Sequence, residues 1–305
     1  MRRIRQTLFS WILLGCGLAA SLAHASNSTI RVATYNVENY LIMDRYFDGR
    51  WRPAYPKPES EKTALRQVIH AAAPDILLLQ EMGTAEFLEE LRADLAAEGL
   101  DYRYALTLSA ADPVRHLAVL SKIEPADIVL HDDLDFQYFD DREMVKRGLL
   151  ELSFPLGADQ HFQVFNLHLK SRFTDNRADP QSELRRTREA EACRNRIIER
   201  ALERGADYYL IAGDFNDHRD SSAMRRFLRR GELHIGSLVP ASDSRGEIWT
   251  YFFERWARYE LIDAFIASPA MLARIEGGQG HIIDSPEARI ASDHRLVYID
   301  IVITE

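Results

Sequence analysis

After Pro74-Asp75 the chain reads Ile76-Leu77-Leu78-Leu79 and then Gln80-Glu81. Four apolar residues in a row, following a helix stop, form a strand that is buried on both faces. Such a strand needs cover on each side of its sheet, and the flanking sequence supplies it. Upstream, Ser60 stands where it can cap a helix repeating Leu65, Val68, Ile69 and Ala72 along one side. Downstream, a helix from near Thr84 to Gly99 carries Phe87, Leu88, Leu91 and Leu95 on one stripe.

Alternating or apolar runs mark further strands at 30–37, 102–108, 116–121, 126–130, 148–154, 160–169, 208–212, 248–253, 261–267 and 295–303. A long helix opens at Pro180 and runs to about Glu203, with Leu184, Ala190, Cys193, Ile197 and Ala201 as its inner line. On this reading Cys193 is a small core residue. Arg185, Arg186, Arg188, Arg194, Arg196 and Arg200 fall on a solvated, ion-paired outer face. A shorter helix spans about Ser221 to Arg230, and residues 40–58 and 132–147 read as loops. No repeat or linker divides the sequence. About ten strands, with helices following strands in both halves, predict a single domain of the α/β (α+β) class over residues 26–305. Its two sheets pack face to face, each covered outside by helices.

The first 25 residues stand apart. Arg2, Arg3 and Arg5, then the apolar 8–15 stretch, then Ala23-His24-Ala25, have the three-part pattern of a signal peptide cleaved after Ala25. Export to the periplasm or beyond is therefore expected. The box Leu13-Leu14-Gly15-Cys16 offers a competing reading, lipidation at Cys16, but the apolar run continuing past it suits a signal core better. The remaining Cys193 has no partner, so the core rather than a disulfide must hold the fold. No other run is long enough to span a membrane. A formal charge of −9 gives no long-range pull toward nucleic acid, though a cation-bearing hydrolase does not need one.

Polar residues arrive where strands end. They are Asn36 with Glu38, Glu81, His168, Asp214 with Asn216, Asp263, and Asp293 with His294. Each has an ordinary structural reading: an Asx turn for Asp214 and Asn216, a strand-edge charge for Asp263, a helix-approach acid for Glu81. Arriving together, they predict one shared site at an edge of the sandwich. Oxygen donors and an amide suit a hard cation, Mg2+ first and Mn2+ or Ca2+ next, better than zinc. Neither a Walker loop nor a Gly-x-Ser-x-Gly elbow is present, which removes the support for nucleotide-loop and covalent serine chemistry. A cation with acid and base groups fits water attack on a phosphoester.

The segments Tyr35-Asn36-Val37-Glu38, Leu79-Gln80-Glu81, Asn166-Leu167-His168, Gly213-Asp214-Phe215-Asn216, Leu261-Ile262-Asp263 and Ser292-Asp293-His294 resemble, in order, the motifs of the endonuclease/exonuclease/phosphatase family. The resemblance covers about residues 30–303. It implies a four-layer α/β/β/α sandwich with the site at one edge. It implies Glu81 as the main metal ligand, assisted by Asn36 and Asp293. Asp214 would activate the attacking water, held by Asn216. His294 would contact the phosphate with Asp263 fixing its tautomer, and His168 would bind phosphate or protonate the leaving oxygen. Glu38 stands where the abasic-site endonucleases have an aspartate near the metal. It joins Arg147 and Lys170 among the substrate-binding residues. The Asn-Leu-His-Leu-Lys-Ser run at 166–171 resembles secreted bacterial nucleases. The expectation is a monomeric, exported nuclease acting on DNA, or on RNA, with no protein partner implied. The rival expectations are a phosphoesterase for phospholipids or inositol phosphates, and a non-catalytic binding domain of the same fold.

Overall fold

The computed structural model describes residues 28–157 and 160–303, so the expected signal peptide, its expected cleavage point and Cys16 lie outside the described residues. Two large mixed sheets carry the domain. The seven-stranded sheet runs Ala241–Ser242, Gly280–Ile282, Val297–Ile303, Ser28–Tyr40, Ile76–Met82, His116–Ser121, Tyr104–Leu108 in spatial order. The six-stranded sheet runs Ser237–Leu238, Asp263–Ala267, Tyr209–Asp214, His161–His168, Leu149–Pro155, Asp127–His131. Most neighbours are antiparallel, but Ser28–Tyr40 pairs in parallel with Ile76–Met82, His161–His168 with Tyr209–Asp214, and Ala241–Ser242 with Gly280–Ile282.

Side-chain alternation sorts the core into three layers. Ile76 and Leu78 point between the sheets with Val32, Val164, Leu210, Ala212, Phe265 and Val297. Leu77 and Leu79 point the other way, onto Leu65, Val68, Ile69, Leu88, Leu91 and Leu95 of the helices Glu59–Ala72 and Ala85–Ala97. Phe165, Leu167, Ile211 and Ile266 face Ala190, Cys193 and Ile197 of the helix Glu183–Arg204 and Met224 and Phe227 of Ser222–Leu228. The result is an α/β/β/α sandwich, and the all-apolar run at 76–79 is covered on both faces as its sequence requires. Burial pushes the Cys193 thiol well above its ordinary value, which leaves it a core residue.

Several local expectations need correction. Residues 40–58 are not irregular: Met43–Phe47 and Arg50–Tyr55 form a hairpin whose turn, Asp48-Gly49, has both residues at positive φ (55° and 73°). The Asp-Gly pair is a strong turn signal that the aromatic and basic composition masked. Within 132–147, Asp135–Tyr138 and Asp141–Met144 form a second hairpin. Ser60 does not cap its helix, which begins at Glu59 after Pro58 with no side-chain cap. On the long helix Leu184 is exposed, whereas Arg186 and Arg194 are buried rather than solvated. Arg186 is drawn in by Asp217, to whose Oδ2 its Nε donates at 2.9 Å. Among the described residues no helix is long and apolar enough to cross a membrane.

Candidate active site

The inter-sheet face continues past its apolar residues into the site. Val32, Thr34 and Asn36 lie two apart on one strand; so do Ile76, Leu78 and Gln80, Val164, Asn166 and His168, Leu210, Ala212 and Asp214, and Phe265 and Asp263. The same period that buries the core therefore delivers polar groups together at one end of the sandwich. Gln80 Nε2 donates to Asn166 Oδ1 at 2.8 Å, and Asn166 Nδ2 donates to the Leu79 and Ala118 carbonyls, each at 3.2 Å. These buried bonds tie the two sheets just beneath the site.

Alternation would send Glu81 to the helix side with Leu77 and Leu79. The backbone prevents this. Pairing shifts register between Asn36 and Tyr40 and between Leu79 and Met82, and Glu38, Asn39 and Glu81 take left-handed φ values of 47°, 57° and 61°. Each such residue costs on the order of 1 kcal/mol. The bulge turns Glu81 inward: its Oε2 accepts from Asn39 N at 3.0 Å, and its Oε1 lies 3.9 Å from His168 Nε2. Arg115, which the sequence reading missed, donates from Nε to Asn39 Oδ1 at 2.7 Å and sits 3.8 Å from Glu81 Oε1. An arginine after a proline-bearing turn gave no signal of its own.

Asp214 is the hub. Its Oδ2 accepts from Asn36 Nδ2 at 2.9 Å and Asn216 Nδ2 at 3.2 Å, and lies 3.4 Å from His168 Nε2 and 3.8 Å from His294 Nε2. Its Oδ1 accepts from Asn216 N at 2.8 Å, so the ordinary Asx turn and the shared site are the same structure. Asn216 pays for this with φ 52°. On the other side His294 Nδ1 lies 2.8 Å from Asp263 Oδ2. Thr250 Oγ1 holds that strand by accepting from Ile262 N and Asp263 N, both at 3.0 Å, and the Tyr251 ring rests 4.7 Å from the imidazole. Glu38 Oε2 accepts from Asp293 N at 3.0 Å, while the Glu38 carbonyl accepts from the buried Lys57 ammonium at 3.1 Å.

Electrostatics separate the two histidines. Burial drives His168 well below its ordinary value, reinforced by Arg147, His294, Arg115 and Lys170, so it is neutral near pH 7. Burial alone would do the same to His294, but Asp263, Asp214 and Asp293 override it and hold the imidazole protonated. Burial lifts the Asp214 carboxyl to about 7 against the pull of His294. Burial also raises Glu38 and Asp293, the latter with Glu38, Glu81 and Asp214 crowding it. This carboxylate cluster is short of positive charge, and its oxygen donors suit a hard divalent cation. Asp214, Asp263 and His294 also place ligand atoms within 4.8 Å of one another, a buried group that could hold a metal ion. Within it, His294 Nδ1 and Asp263 Oδ2 already pair with each other.

Arg147 and Lys170 lie close enough to His168 to act on its charge. Arg147 is buried, with Nε 3.1 Å from Asp112 Oδ2 and Nη1 without a hydrogen-bond partner. The Lys170 ammonium donates to the Ser171 carbonyl at 3.0 Å and also to the Phe173 carbonyl. Burial, with Arg147 and Lys146 nearby, lowers it to about 8.

Residues 33–294 match the endonuclease/exonuclease/phosphatase family. No curated protein matches the sequence. Among solved structures, the chain is similar to an endonuclease/exonuclease/phosphatase protein from Bacteroides vulgatus at TM-score 0.61 and 17% identity, covering 91% of this chain and 100% of that one. It is similar to a Neisseria 3′ phosphatase bound to a product DNA hairpin at TM-score 0.55 and 18% identity, covering 89% and 99%. It is also similar to a sphingomyelinase C from Streptomyces griseocarneus at TM-score 0.59 and 15% identity, covering 89% and 99%. At these identities the likeness establishes the fold.

Proposed function

The chain belongs to the endonuclease/exonuclease/phosphatase family, whose members hydrolyse phosphoester bonds, and we propose that it is an exported, divalent-cation-dependent phosphodiesterase acting on nucleic acid, DNA first. The observation that carries the reading is the setting of Asp214, a buried carboxylate fixed by two amides and faced by two imidazoles, one neutral and one protonated. Above about pH 7 Asp214 is ionised. It then accepts a proton from water more readily than an ordinary carboxylate would. Asn36 and Asn216 keep its Oδ2 aimed, so the base does not rotate away. The imidazolium of His294, pinned through Nδ1 to Asp263, presents Nε2 to the phosphoryl group as a charged donor. Neutral His168 presents Nε2 from the strand next to that of Asp214, able to donate to the departing oxygen.

Asn36, Glu38, Glu81 and Asp293 are the residues we assign to the cation, and Mg2+ is the ion their oxygen donors suit best. Bound there, it would neutralise charge on phosphoryl oxygens. The alternative holder is the trio of Asp214, Asp263 and His294, in which Asp263 and His294 are already engaged with each other through Oδ2 and Nδ1.

A second reading, a phosphoesterase for lipid headgroups, draws on the Met43–Tyr55 hairpin, where Tyr46 and Trp51 are 65% and 71% exposed. Arg45, Arg50 and Arg52 on the same hairpin suit a polyanion as well. A substrate panel decides: plasmid DNA, RNA, sphingomyelin, inositol phosphates and a chromogenic bis-ester, each with Mg2+, Mn2+, Ca2+ or EDTA. Turnover of DNA that EDTA abolishes is the expected result. Turnover of lipids alone would replace the substrate, and full activity in EDTA would remove the mechanism.

A further inference from the structure

A cavity of about 420 Å³ opens beside Asn216 and Tyr251, between the 171–174 segment and the hairpin formed by Tyr251–Phe253 and Arg258–Glu260. Its size is within the range of small-ligand pockets. Aromatic rings lead into it from the site. The Tyr251 ring rests against His294, Phe253 stacks on Tyr251 at 6.3 Å and 19°, and Trp256 meets Phe253 edge-on at 5.1 Å. Trp256 is 62% exposed, and on the other wall Phe173 is 79% exposed with no ring partner among the described residues. One exposed ring is ordinary. Two of them, on both walls of a cleft that begins beside Asn216 and Tyr251, call for a ligand with a flat face.

The charge of the cleft selects among such ligands. Glu260 is its one carboxylate among the described residues, and three arginines line it. Arg172 donates to both Glu260 oxygens, at 3.0 and 2.6 Å, tying the two walls together, and Arg258 Nε lies 2.5 Å from Oε1. Arg258 also lies over the Trp256 ring at 5.5 Å. Arg255 is exposed and has no ion pair or hydrogen bond among the described residues. The excess of guanidinium over carboxylate repels a quaternary ammonium such as choline and attracts a phosphate.

We propose that this cleft holds an unpaired nucleobase next to the scissile phosphate, stacked on Trp256 and Phe173 with its neighbouring phosphate on Arg255, so that the enzyme prefers single-stranded to base-paired nucleic acid. The proposal rests on the phosphodiesterase reading of the adjoining site. A base inside a duplex already has both faces stacked and cannot reach these rings. A base in a single strand can, whatever its identity, because every base has a π face.

The test compares the parent protein with Trp256→Ala, Phe173→Ala and Arg255→Ala, all at exposed positions. The substrates are a single-stranded oligonucleotide, its duplex, and the same strand carrying tetrahydrofuran abasic residues. The parent is expected to cleave the single strand better than the duplex and better than the abasic strand. Trp256→Ala and Phe173→Ala should each raise KM for the intact strand on the order of tenfold, the loss of one base–aromatic stack. The abasic strand should be affected much less. Arg255→Ala should weaken intact and abasic strands alike. Fluorescence anisotropy of the labelled strands in EDTA gives a readout independent of turnover, with the same ranking. Equal handling of intact and abasic strands by the parent, a duplex preference, or displacement of the strand by sphingomyelin vesicles would overturn the proposal. Base-dependent binding with no hydrolysis of any phosphodiester would instead remove the hydrolase reading and leave the cleft. Hydrolysis indifferent to bases would do the reverse.

Discussion

His294 Nδ1 and Asp263 Oδ2 lie 2.8 Å apart in a buried pair that joins the six-stranded sheet to the segment leading into the last strand of the other. The pair fixes which imidazole nitrogen faces Asp214 and keeps the ring charged. Asp263→Asn retains the shape but removes the charge. It should lower kcat roughly 10²–10⁴-fold, as loss of an orienting carboxylate does elsewhere. It should also lower the pH at which His294 loses its proton. Steady-state hydrolysis of a bis-ester across pH, with the His294 ring followed by NMR, checks both.

Asp214→Asn should lower kcat by roughly 10²–10⁴-fold, the worth of a positioned base. The same change has a stability signature of defined sign. The folded carboxyl titrates near 7 while an unfolded aspartate titrates near its ordinary value of 3.8. Its protonated form therefore stabilises the fold below the lower value, and that contribution is lost as pH rises through the higher one. The difference in Tm between Asp214→Asn and the parent, measured in metal-free buffer, should shift in favour of the variant from pH 5 to pH 8. A flat difference would contradict the buried, charge-disfavouring setting.

Cation binding should carry the complementary pH dependence. Asp293 and Glu38 are raised in the metal-free chain, so a cation has to displace protons held there. Below that range protons compete; as pH rises through about 8, where the Asp293 carboxyl titrates, they leave. The Tm increase produced by a fixed Mg2+ concentration should therefore be larger at pH 8.5 than at pH 6. Glu81→Ala should diminish it at both. Differential scanning fluorimetry with Mg2+ and EDTA arms reads this directly.

What the sequence made legible follows from periodicity. Val164, Asn166 and His168, or Leu210, Ala212 and Asp214, keep one face of a regular strand, so a strand-end residue announces where it points. The architecture and the convergence of Asn36, His168, Asp214 and Asp263 were readable for that reason, while His294, in the segment before the last strand, was placed by motif. Glu81 was placed at the site by motif, while its orientation depends on a bulge and a left-handed φ that alternation contradicts. Arg115, Lys57 and Arg186 were missed because each acts through a contact distant in sequence: Asn39, the Glu38 carbonyl and Asp217. Long charged side chains look alike on paper whether they end in water or on a buried partner. The two overlooked hairpins are short and half-exposed, with little apolar pattern to mark them.

Gly213 gives the sharpest prediction about the scaffold. It lies in the strand before Asp214 at φ 138°, paired in parallel with Leu167, one step from the His168–Asp214 register pair. A Cβ built there would sit 1.9 Å from the Leu167 carbonyl oxygen, a backbone atom that cannot rotate away. Gly213→Ala must therefore push the two central strands apart or twist the one that carries Asp214. The cost should be several kcal/mol, in the range that single changes reach only through strain or core disruption, at least about 4 kcal/mol. Urea unfolding of the variant measures this. Any folded fraction should lose activity because His168 and Asp214 no longer hold their 3.4 Å approach. A variant with parental stability and rate would show that the close approach of these strands is not what sets the site.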